Sequence, residues 1–143
     1  RMNESTGKAS AALVYADGGS RGNPGPAGCG VVISDRETGE NIGNISKFLG
    51  HTTNNVAEYT GLVLGLEQVL ALGIDDVEVR MDSELVVKQI KGEYRVKNEN
   101  LKPLYQQATK LKGQFKKFAI AHVRREQNKD ADRLANQAMD RGV

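Results

Sequence analysis

The first third of the chain alternates between short apolar runs and groups of turn residues. Apolar runs at 11–16 and 28–34, and a looser alternation at 40–49, have the length and composition of strands. A segment rich in Gly, Asn and Pro separates the first two strands, and a turn at 35–39 separates the second from the third. These short connections predict three consecutive antiparallel strands.

The spacing of apolar residues changes from strand to helix at Val56. From there to residue 72 they recur every three or four positions, which predicts a helix with capping residue types at 52–54 and an end near Gly73. Gly61 and Gly65 fall on one face of this helix and lower its intrinsic propensity. We therefore expect the helix to contact the sheet closely at these two glycines.

The rest of the chain alternates strands with helices. Strands are predicted at 77–81 and 118–124, and helical spacing is found at 85–90, 101–111 and 131–138. The predicted element order is βββαβαβα, which is typical of the α/β class with one mixed sheet of five strands and helices on both faces. Strand four follows a helical crossover, so it is expected to lie parallel to strand one.

Four acidic residues are predicted at the ends of elements: Asp17, Glu58, Asp82 and Asp132. Asp17 and Asp82 directly follow strands one and four, so neighbouring parallel strands would place both carboxylates at the same edge of the sheet. A cluster of carboxylates is unfavourable unless cations neutralise it, and Mg²⁺ is a hard cation that prefers oxygen ligands. Each residue also has an ordinary interpretation, as a turn former or as a complement to a helix dipole.

Composition restricts the class of protein. The chain has 143 residues, of which 38% are hydrophobic and 27% charged, and these values fit one folded domain. No apolar run approaches the roughly 20 residues of a membrane-spanning helix. The single cysteine, Cys29, excludes an internal disulfide and favours a reducing, cytoplasmic setting.

The net charge of +2 conceals a strong asymmetry along the chain. Residues 88–125 contain 11 Lys and Arg against 2 Asp and Glu. This segment indicates either a polyanionic partner or an ordinary solvated helix face. The glycine-rich segment 17–26 lacks the Gly-Lys-Ser/Thr ending of a phosphate-binding loop. Its glycines favour either close approach of the backbone to a ligand or a plain hairpin connection.

Four segments together resemble type 1 ribonuclease H. They are YADGGSRGNPGPAG at 15–28, TTNNVAEY at 52–59, MDSELV at 81–86 and NKDADRLA at 128–135. All four occur in the family's order, and the resemblance covers nearly the whole chain from about Leu13. The segment 92–100 is too short for an added helix, so the chain resembles the members that lack a basic protrusion. The family fold is a five-stranded mixed sheet with helices, which matches the order predicted above.

The resemblance implies an endonuclease that hydrolyses the RNA strand of RNA–DNA hybrids with two divalent metal ions and leaves 3′-hydroxyl and 5′-phosphate ends. The expected metal is Mg²⁺, with Mn²⁺ as a possible substitute. By motif, Asp17 would bridge both ions, Glu58 and Asp82 would help to hold one, and Asp132 the other. Glu58 would also lie near the RNA 2′-hydroxyl, the group that distinguishes RNA from DNA.

The resemblance also implies a set of polar contacts to the hybrid. The substrate-binding candidates are Gly18, Ser20, Asn23, Thr53, Asn54 and Asn55. Members of the family often have a mobile histidine shortly before the last motif. Here His122 falls within an apparent strand, and Arg125 is the preferred candidate for phosphate contact or product release, against the alternative of an ordinary surface arginine. Glu84 stands where the family often has glutamine.

The predicted organisation is a flexible tail at 1–10 followed by one ribonuclease H domain at 11–143. We expect a monomeric cytoplasmic protein that binds RNA–DNA hybrids and has no membrane contact. Two alternatives stay open. The chain could be a nucleic-acid-binding module without catalysis, or the ribonuclease H domain of a larger multifunctional protein.

Overall fold

The computed structural model describes residues 9–143. The strands are β1 (Ala12–Ser20), β2 (Gly25–Asp35), β3 (Asn41–Thr52), β4 (Asp76–Met81) and β5 (Lys117–His122). The helices are α1 (Asn54–Ala71), α2 (Glu84–Ile90), α3 (Lys102–Lys112) and α4 (Lys129–Arg141), and a 3₁₀ turn (Arg125–Gln127) precedes α4. The connection between β4 and β5 contains two helices, as the helical spacing at 85–90 and 101–111 predicted, although the order βββαβαβα counted them as one.

All five strands form one mixed sheet in the order β3-β2-β1-β4-β5. β1 pairs antiparallel with β2, and β2 with β3, as the short connections predicted. β4 runs parallel to both β1 and β5. The mixed sheet, its three-strand antiparallel start and the parallel relation of strands one and four are thus confirmed.

β1 is longer than the apolar run that predicted it. Pairing with β2 continues through Gly18 and Gly19 to Ser20, opposite Ala27, and only residues 21–24 form the turn. Asp17 consequently lies inside the strand, opposite Gly30, and not after it. Glycines carry no side-chain signal for a strand, so the sequence pattern placed the end of β1 too early.

α1 packs on one face of the sheet through the two glycines of its contact face. A Cβ atom on Gly61 would lie 3.0 Å from the carbonyl oxygen of Asp17, and one on Gly65 would lie 3.1 Å from Cγ1 of Val31. The large buried side chains, including Leu62 and Leu66, fill the same face. The predicted close contact between helix and sheet is confirmed.

α4 packs on the opposite face through small residues. Ala131, Ala135 and Ala138 are buried there against the glycines of β2. A Cβ atom on Gly30 would lie only 2.1 Å from the carbonyl oxygen of Ala131. Because β2 has no side chain at this point, α4 approaches close enough to bring its first turn over β1.

Two features of the described chain bear on the predicted environment of the protein. Cys29 is fully buried in β2 beneath α1, and burial raises the pKa of its thiol to about 11. Among residues 9–143, no helix combines the length and hydropathy required to cross a bilayer. Of the predicted tail, residues 1–8 lie outside the described part of the chain, and Ala9 already packs against the core.

Candidate active site

Asp17 and Asp82 lie side by side where the pairing of β1 with β4 ends. The parallel register of β1 and β4 ends at Ala16 opposite Met81, so the next residue of each chain is an aspartate. Both lie at the carboxyl edge of the parallel strands, where α/β sheets place their sites. The predicted convergence of these two residues is confirmed, although β1 itself continues beyond Asp17.

Two helices contribute the other predicted carboxylates. Glu58 lies in the second turn of α1, and Asp132 lies in the first turn of α4. All four side chains line one cavity of about 460 Å³. The structure therefore brings the whole predicted set together from two strands and from helices on opposite faces of the sheet.

Asp17 is the most buried member of this set. Its exposed fraction is 7%, and burial, the nearby charge of Asp82 and a hydrogen bond with Asp132 raise its pKa to about 9. Two carboxyl groups can share a hydrogen bond only when one of them carries a proton. Without a cation, this cluster therefore retains a proton at neutral pH.

Glu58 is half-buried and lies beside α2. Its pKa rises to about 7, chiefly because burial disfavours the charged form, while a hydrogen bond from the Ser83 hydroxyl opposes the rise. Ser83 also caps α2 by accepting a hydrogen bond from the Val86 amide at 3.3 Å. The residue directly after Asp82 thus connects Glu58 to the start of α2.

Asn128 is a site residue that the sequence analysis quoted within a motif without giving it a role. Its side chain is 1% exposed, and Nδ2 donates to the carbonyl oxygen of Ala16 and to Oδ1 of Asp82, each at 3.0 Å. Oδ1 of Asn128 is buried without a hydrogen-bond partner. An uncharged residue gave no chemical signal, and its position as the residue before α4 was the only indication.

The donor set suits a hard divalent cation by its chemistry. It consists of carboxylate oxygens in a cavity where two pKa values are raised by burial and like charge. Within residues 9–143, no three His, Cys, Asp or Glu side chains are arranged around a single point. Instead the carboxyl groups bond protein partners: Asp17 bonds Asp132, Ser83 bonds Glu58 and Asn128 bonds Asp82.

Half of the predicted substrate-binding residues line the cavity, namely Gly18, Ser20 and Asn54. The other three, Asn23, Thr53 and Asn55, do not line it. Oδ1 of Asn23 accepts a hydrogen bond from the backbone N–H of Asn54 at 3.1 Å. The hydroxyl of Thr53 caps α1 by accepting from the backbone N–H of Val56 at 3.3 Å. These contacts fix the start of α1, which carries Glu58.

Asn54 joins α1 to β1. Its Oδ1 accepts hydrogen bonds from the Ser20 amide at 2.8 Å and from the Ser20 hydroxyl at 3.2 Å. The end of β1 and the start of α1 are therefore held together at the wall of the cavity.

Two arginines complete the lining of the cavity. Arg125, in the 3₁₀ turn before α4, lies with the carboxylates as predicted, whereas His122 is exposed in β5 opposite Met81. Arg21, in the turn after β1, also lines the cavity. The sequence analysis attached no role to Arg21 because its partners lie on α4, more than 100 residues away in the chain.

A second cavity, of about 590 Å³, lies between the segment after α2 and the side of α3. Tyr94, Arg95, Lys102 and Tyr105 are among the residues that line it. Tyr94 is 46% exposed, and the ammonium group of Lys88 lies 4.9 Å from its ring centroid. This part of the charged segment thus combines exposed cations with an accessible aromatic ring.

Comparison with known proteins identifies the family to which the chain belongs. Residues 15–138 match the family model described as "Reverse transcriptase-like". The bifunctional protein Rv2228c of Mycobacterium tuberculosis is 47% identical over 128 residues, which are 90% of this chain and 35% of the relative. The chain thus spans about a third of the length of this curated relative.

Solved structures agree closely with the fold. The N-terminal RNase H domain of Rv2228c has a TM-score of 0.89 at 46% identity, covering 91% of this chain and 99% of that one. RNase H1 from the archaeon Halobacterium salinarum has a TM-score of 0.88 at 40% identity, covering 92% and 98%. LC11-RNase H1 in complex with an RNA/DNA hybrid has a TM-score of 0.85 at 44% identity, covering 91% and 97%.

Proposed function

Because this chain belongs to the ribonuclease H family, we propose that it is an endonuclease that hydrolyses the RNA strand of RNA–DNA hybrids and leaves 3′-hydroxyl and 5′-phosphate ends. The observation that carries the proposal is the cavity lined by Asp17, Glu58, Asp82 and Asp132. A relative of 44% identity has been solved with an RNA/DNA hybrid, which supports the same class of substrate here.

Family membership implies dependence on divalent metal ions in general, and we propose Mg²⁺, with Mn²⁺ as a substitute. The four carboxylates would hold two ions, with Asp17 shared, Glu58 and Asp82 on one ion and Asp132 on the other. When bound, the ions would supply Lewis-acid activation of water and stabilise charge on the phosphodiester. The raised pKa values of Asp17 and Glu58 support this assignment. They show that the charged forms of both groups are unfavourable without cations, and bound dications would offset this cost.

The chain's own residues would orient the RNA strand at this site. Glu58 is half-buried at the cavity wall, where it could accept a hydrogen bond from a 2′-hydroxyl and so discriminate against DNA. Gly18 and Ser20 line the cavity beside the carboxylates. The backbone N–H of Ser20 fixes the side-chain amide of Asn54 at the same wall. We assign Asn23, Thr53 and Asn55 to contacts farther along the hybrid, since they lie outside the cavity lining.

Arg125 is proposed to contact phosphate or to assist product release. It lines the cavity and is exposed, so its guanidinium is available to an anion beside the carboxylates. Members of the family often have a mobile histidine for this role, but here His122 is held in β5. The geometry favours Arg125 over His122 for this role.

The second cavity is proposed to receive the DNA strand. Tyr94 presents an exposed aromatic face to the sugars of the DNA strand, and Arg95 supplies positive charge beside it without an added basic helix. On this proposal, the 11 cationic and 2 anionic residues of segment 88–125 face a polyanionic partner and are not merely an ordinary solvated helix face.

A cleavage assay on a labelled RNA–DNA hybrid in Mg²⁺ or Mn²⁺ tests the proposal. The sharpest comparison is Asp132→Asn against Asp130→Asn, because both residues lie in the first turn of α4 and Asp130 is exposed and pairs with Arg133. We expect Asp132→Asn to lose cleavage by at least a hundredfold and Asp130→Asn to cleave normally. Binding of the hybrid without cleavage by the wild-type chain would favour the non-catalytic module.

Two further assignments accompany this function. We propose that the protein is a monomer. We also propose a cytoplasmic location, because its one cysteine is free, as in a reducing compartment. The share of 35% of Rv2228c favours the alternative that this domain is one part of a longer bifunctional protein. The length of the source reading frame decides between a single-domain and a multifunctional protein.

A further inference from the structure

β1 and α4 face each other along the whole length of the acidic cavity. Asp17 and Arg21 are four residues apart, so they lie on the same side of the strand and its continuation into the turn. Asp132, Asn136 and Asp140 recur every four residues, which places them on one face of α4. Asp17 bonds Asp132 at one end of this pairing, and Arg21 bonds Asp140 at the other.

The guanidinium of Arg21 is held from one side only. Nη2 lies 2.6 Å from Oδ1 of Asp140, and 3.4 Å from both the carbonyl oxygen and Oδ1 of Asn136. All of these contacts use Nη2, so the donors on Nε and Nη1 have no hydrogen-bond partner within residues 9–143. The side chain is 47% exposed, and it lines the same cavity as the four carboxylates.

This arrangement suits a phosphate rather than a structural ion pair alone. A guanidinium presents donors in a planar fork that matches phosphate oxygens, and partial fixation lowers the entropy lost on binding. At about 3.3 Å of rise per strand residue, Asp17 and Arg21 are separated by roughly 13 Å. That separation corresponds to a few nucleotide steps at about 3.4 Å of axial rise each.

We propose that Arg21 binds a backbone phosphate of the RNA strand a few nucleotides away from the bond that is cleaved. The inference rests on the proposed function, since the carboxylates of the same cavity define where the scissile phosphate lies. Arg21 then supplies the attraction at the end of the cavity opposite to the acidic cluster. Asp140 and Asn136 act as positioning residues that aim the guanidinium.

The test compares Arg21→Ala with Arg36→Ala on an end-labelled RNA–DNA hybrid in Mg²⁺. Arg36 is the charge-matched control. It pairs with Asp76 at the amino end of β4, and the carboxylate cavity lies beyond the other end of this strand. We expect Arg21→Ala to raise KM about tenfold, keep kcat within twofold, and reduce the slope of log KM against log salt concentration by about 1. Arg21→Lys keeps the charge without the fork, so it should retain the salt slope while KM rises about threefold.

A second measurement locates the phosphate. Replacing single RNA-strand linkages by uncharged methylphosphonates should weaken binding to the wild-type chain at one position, two to four linkages from the cleaved bond, and Arg21→Ala should be insensitive to that replacement. The proposal would be overturned by a KM within twofold of that of Arg36→Ala together with an equal salt slope, or by a loss of kcat alone. It would also be overturned if only replacements in the DNA strand removed the difference between wild type and Arg21→Ala. If the wild-type chain failed to cleave the hybrid at all, the proposed function itself would be wrong, which is a separate result.

Discussion

The side chain of Asn128 bonds Asp82 at 3.0 Å and, through the same nitrogen, the carbonyl oxygen of Ala16 at 3.0 Å. One buried amide therefore connects the middle of β1 and the residue after β4 to the start of α4. These three elements carry Asp17, Asp82 and Asp132, so the relative positions of three carboxylates depend on this side chain.

Asn128→Ala should reduce both stability and activity. The substitution removes two hydrogen bonds of a buried amide, to the carbonyl oxygen of Ala16 and to Asp82, which costs on the order of 1–3 kcal/mol of unfolding free energy. It also frees Asp82, so we expect a higher Mg²⁺ concentration for half-maximal cleavage. Denaturant unfolding and a metal titration of activity measure the two effects. Asn44→Ala, at an exposed position of β3, should change unfolding by less than about 0.5 kcal/mol. Equal behaviour of the two variants would contradict the role of Asn128.

The metal-free protein should lose stability as the pH rises. Asp17 has a pKa of about 9 in the folded chain against 3.8 for the ordinary group, and Glu58 has about 7 against 4.5. The folded state therefore binds more protons than the unfolded state between these values, and unfolding free energy falls as pH rises from about 4 to 9. Thermal unfolding in EDTA across this range measures the slope. Saturating Mg²⁺ should flatten it, and a slope of opposite sign would refute the argument.

Asp17→Asn should abolish cleavage while stabilising the metal-free fold. Asparagine is neutral without binding a proton, so it removes the free-energy cost of keeping Asp17 protonated beside Asp82 and Asp132, and it leaves a group of nearly the same shape. We expect the melting temperature in EDTA at pH 8 to rise by about 3 °C for each kcal/mol gained. Circular dichroism confirms the fold, and a variant that cleaves normally in Mg²⁺ would remove Asp17 from the mechanism.

Gly30→Ala should displace α4 and with it Asp132. The new Cβ atom would lie 2.1 Å from the carbonyl oxygen of Ala131, a backbone atom that cannot move without the helix. We expect destabilisation of at least about 2 kcal/mol and a large loss of activity. Gly43→Ala in β3 is the matched control, since its Cβ would meet the side chain of Ile33 at ordinary contact distances, 3.7 Å from Cδ1 and 3.9 Å from Cβ. Gly30→Ala of wild-type stability would show that α4 has more freedom than the packing indicates.

Tyr94→Ala should weaken binding of the hybrid without changing the chemical step. The substitution removes an exposed aromatic contact to the DNA strand, so Kd should rise about tenfold while kcat stays within twofold. Fluorescence anisotropy with a labelled hybrid measures Kd. Tyr15→Phe is a suitable control, because Tyr15 lies on the sheet and bonds Arg80. An unchanged Kd for Tyr94→Ala would mean that the DNA strand does not occupy the second cavity.

The sequence predicted the sheet, the order of its strands along the chain and the convergence of four carboxylates. Periodicity sufficed for α1 and β4, since their apolar positions repeat regularly and turn residues bound them. The end of β1 was misplaced, because the strand continues through glycines that hydrogen-bond as well as any residue but carry no apolar signal. The convergence of Asp17 and Asp82 was predicted because each follows an apolar run, and these two runs lie in neighbouring parallel strands.

Contacts between distant parts of the chain could not be predicted. Asn128 reaches Ala16 across 112 positions, and Arg21 reaches Asn136 across 115. Both depend on how closely α4 approaches β1, which is set by the small residues between α4 and β2. Spacing within a single segment carries no information of this kind.

The burial of Cys29 has a practical consequence for labelling. Its thiol is inaccessible in β2, and at neutral pH it stays protonated, so it reacts slowly with maleimides and with oxidants. A cysteine introduced on the surface would consequently be the only reactive thiol among residues 9–143. Fluorophores or spin probes could be attached at one chosen point without first removing the native residue.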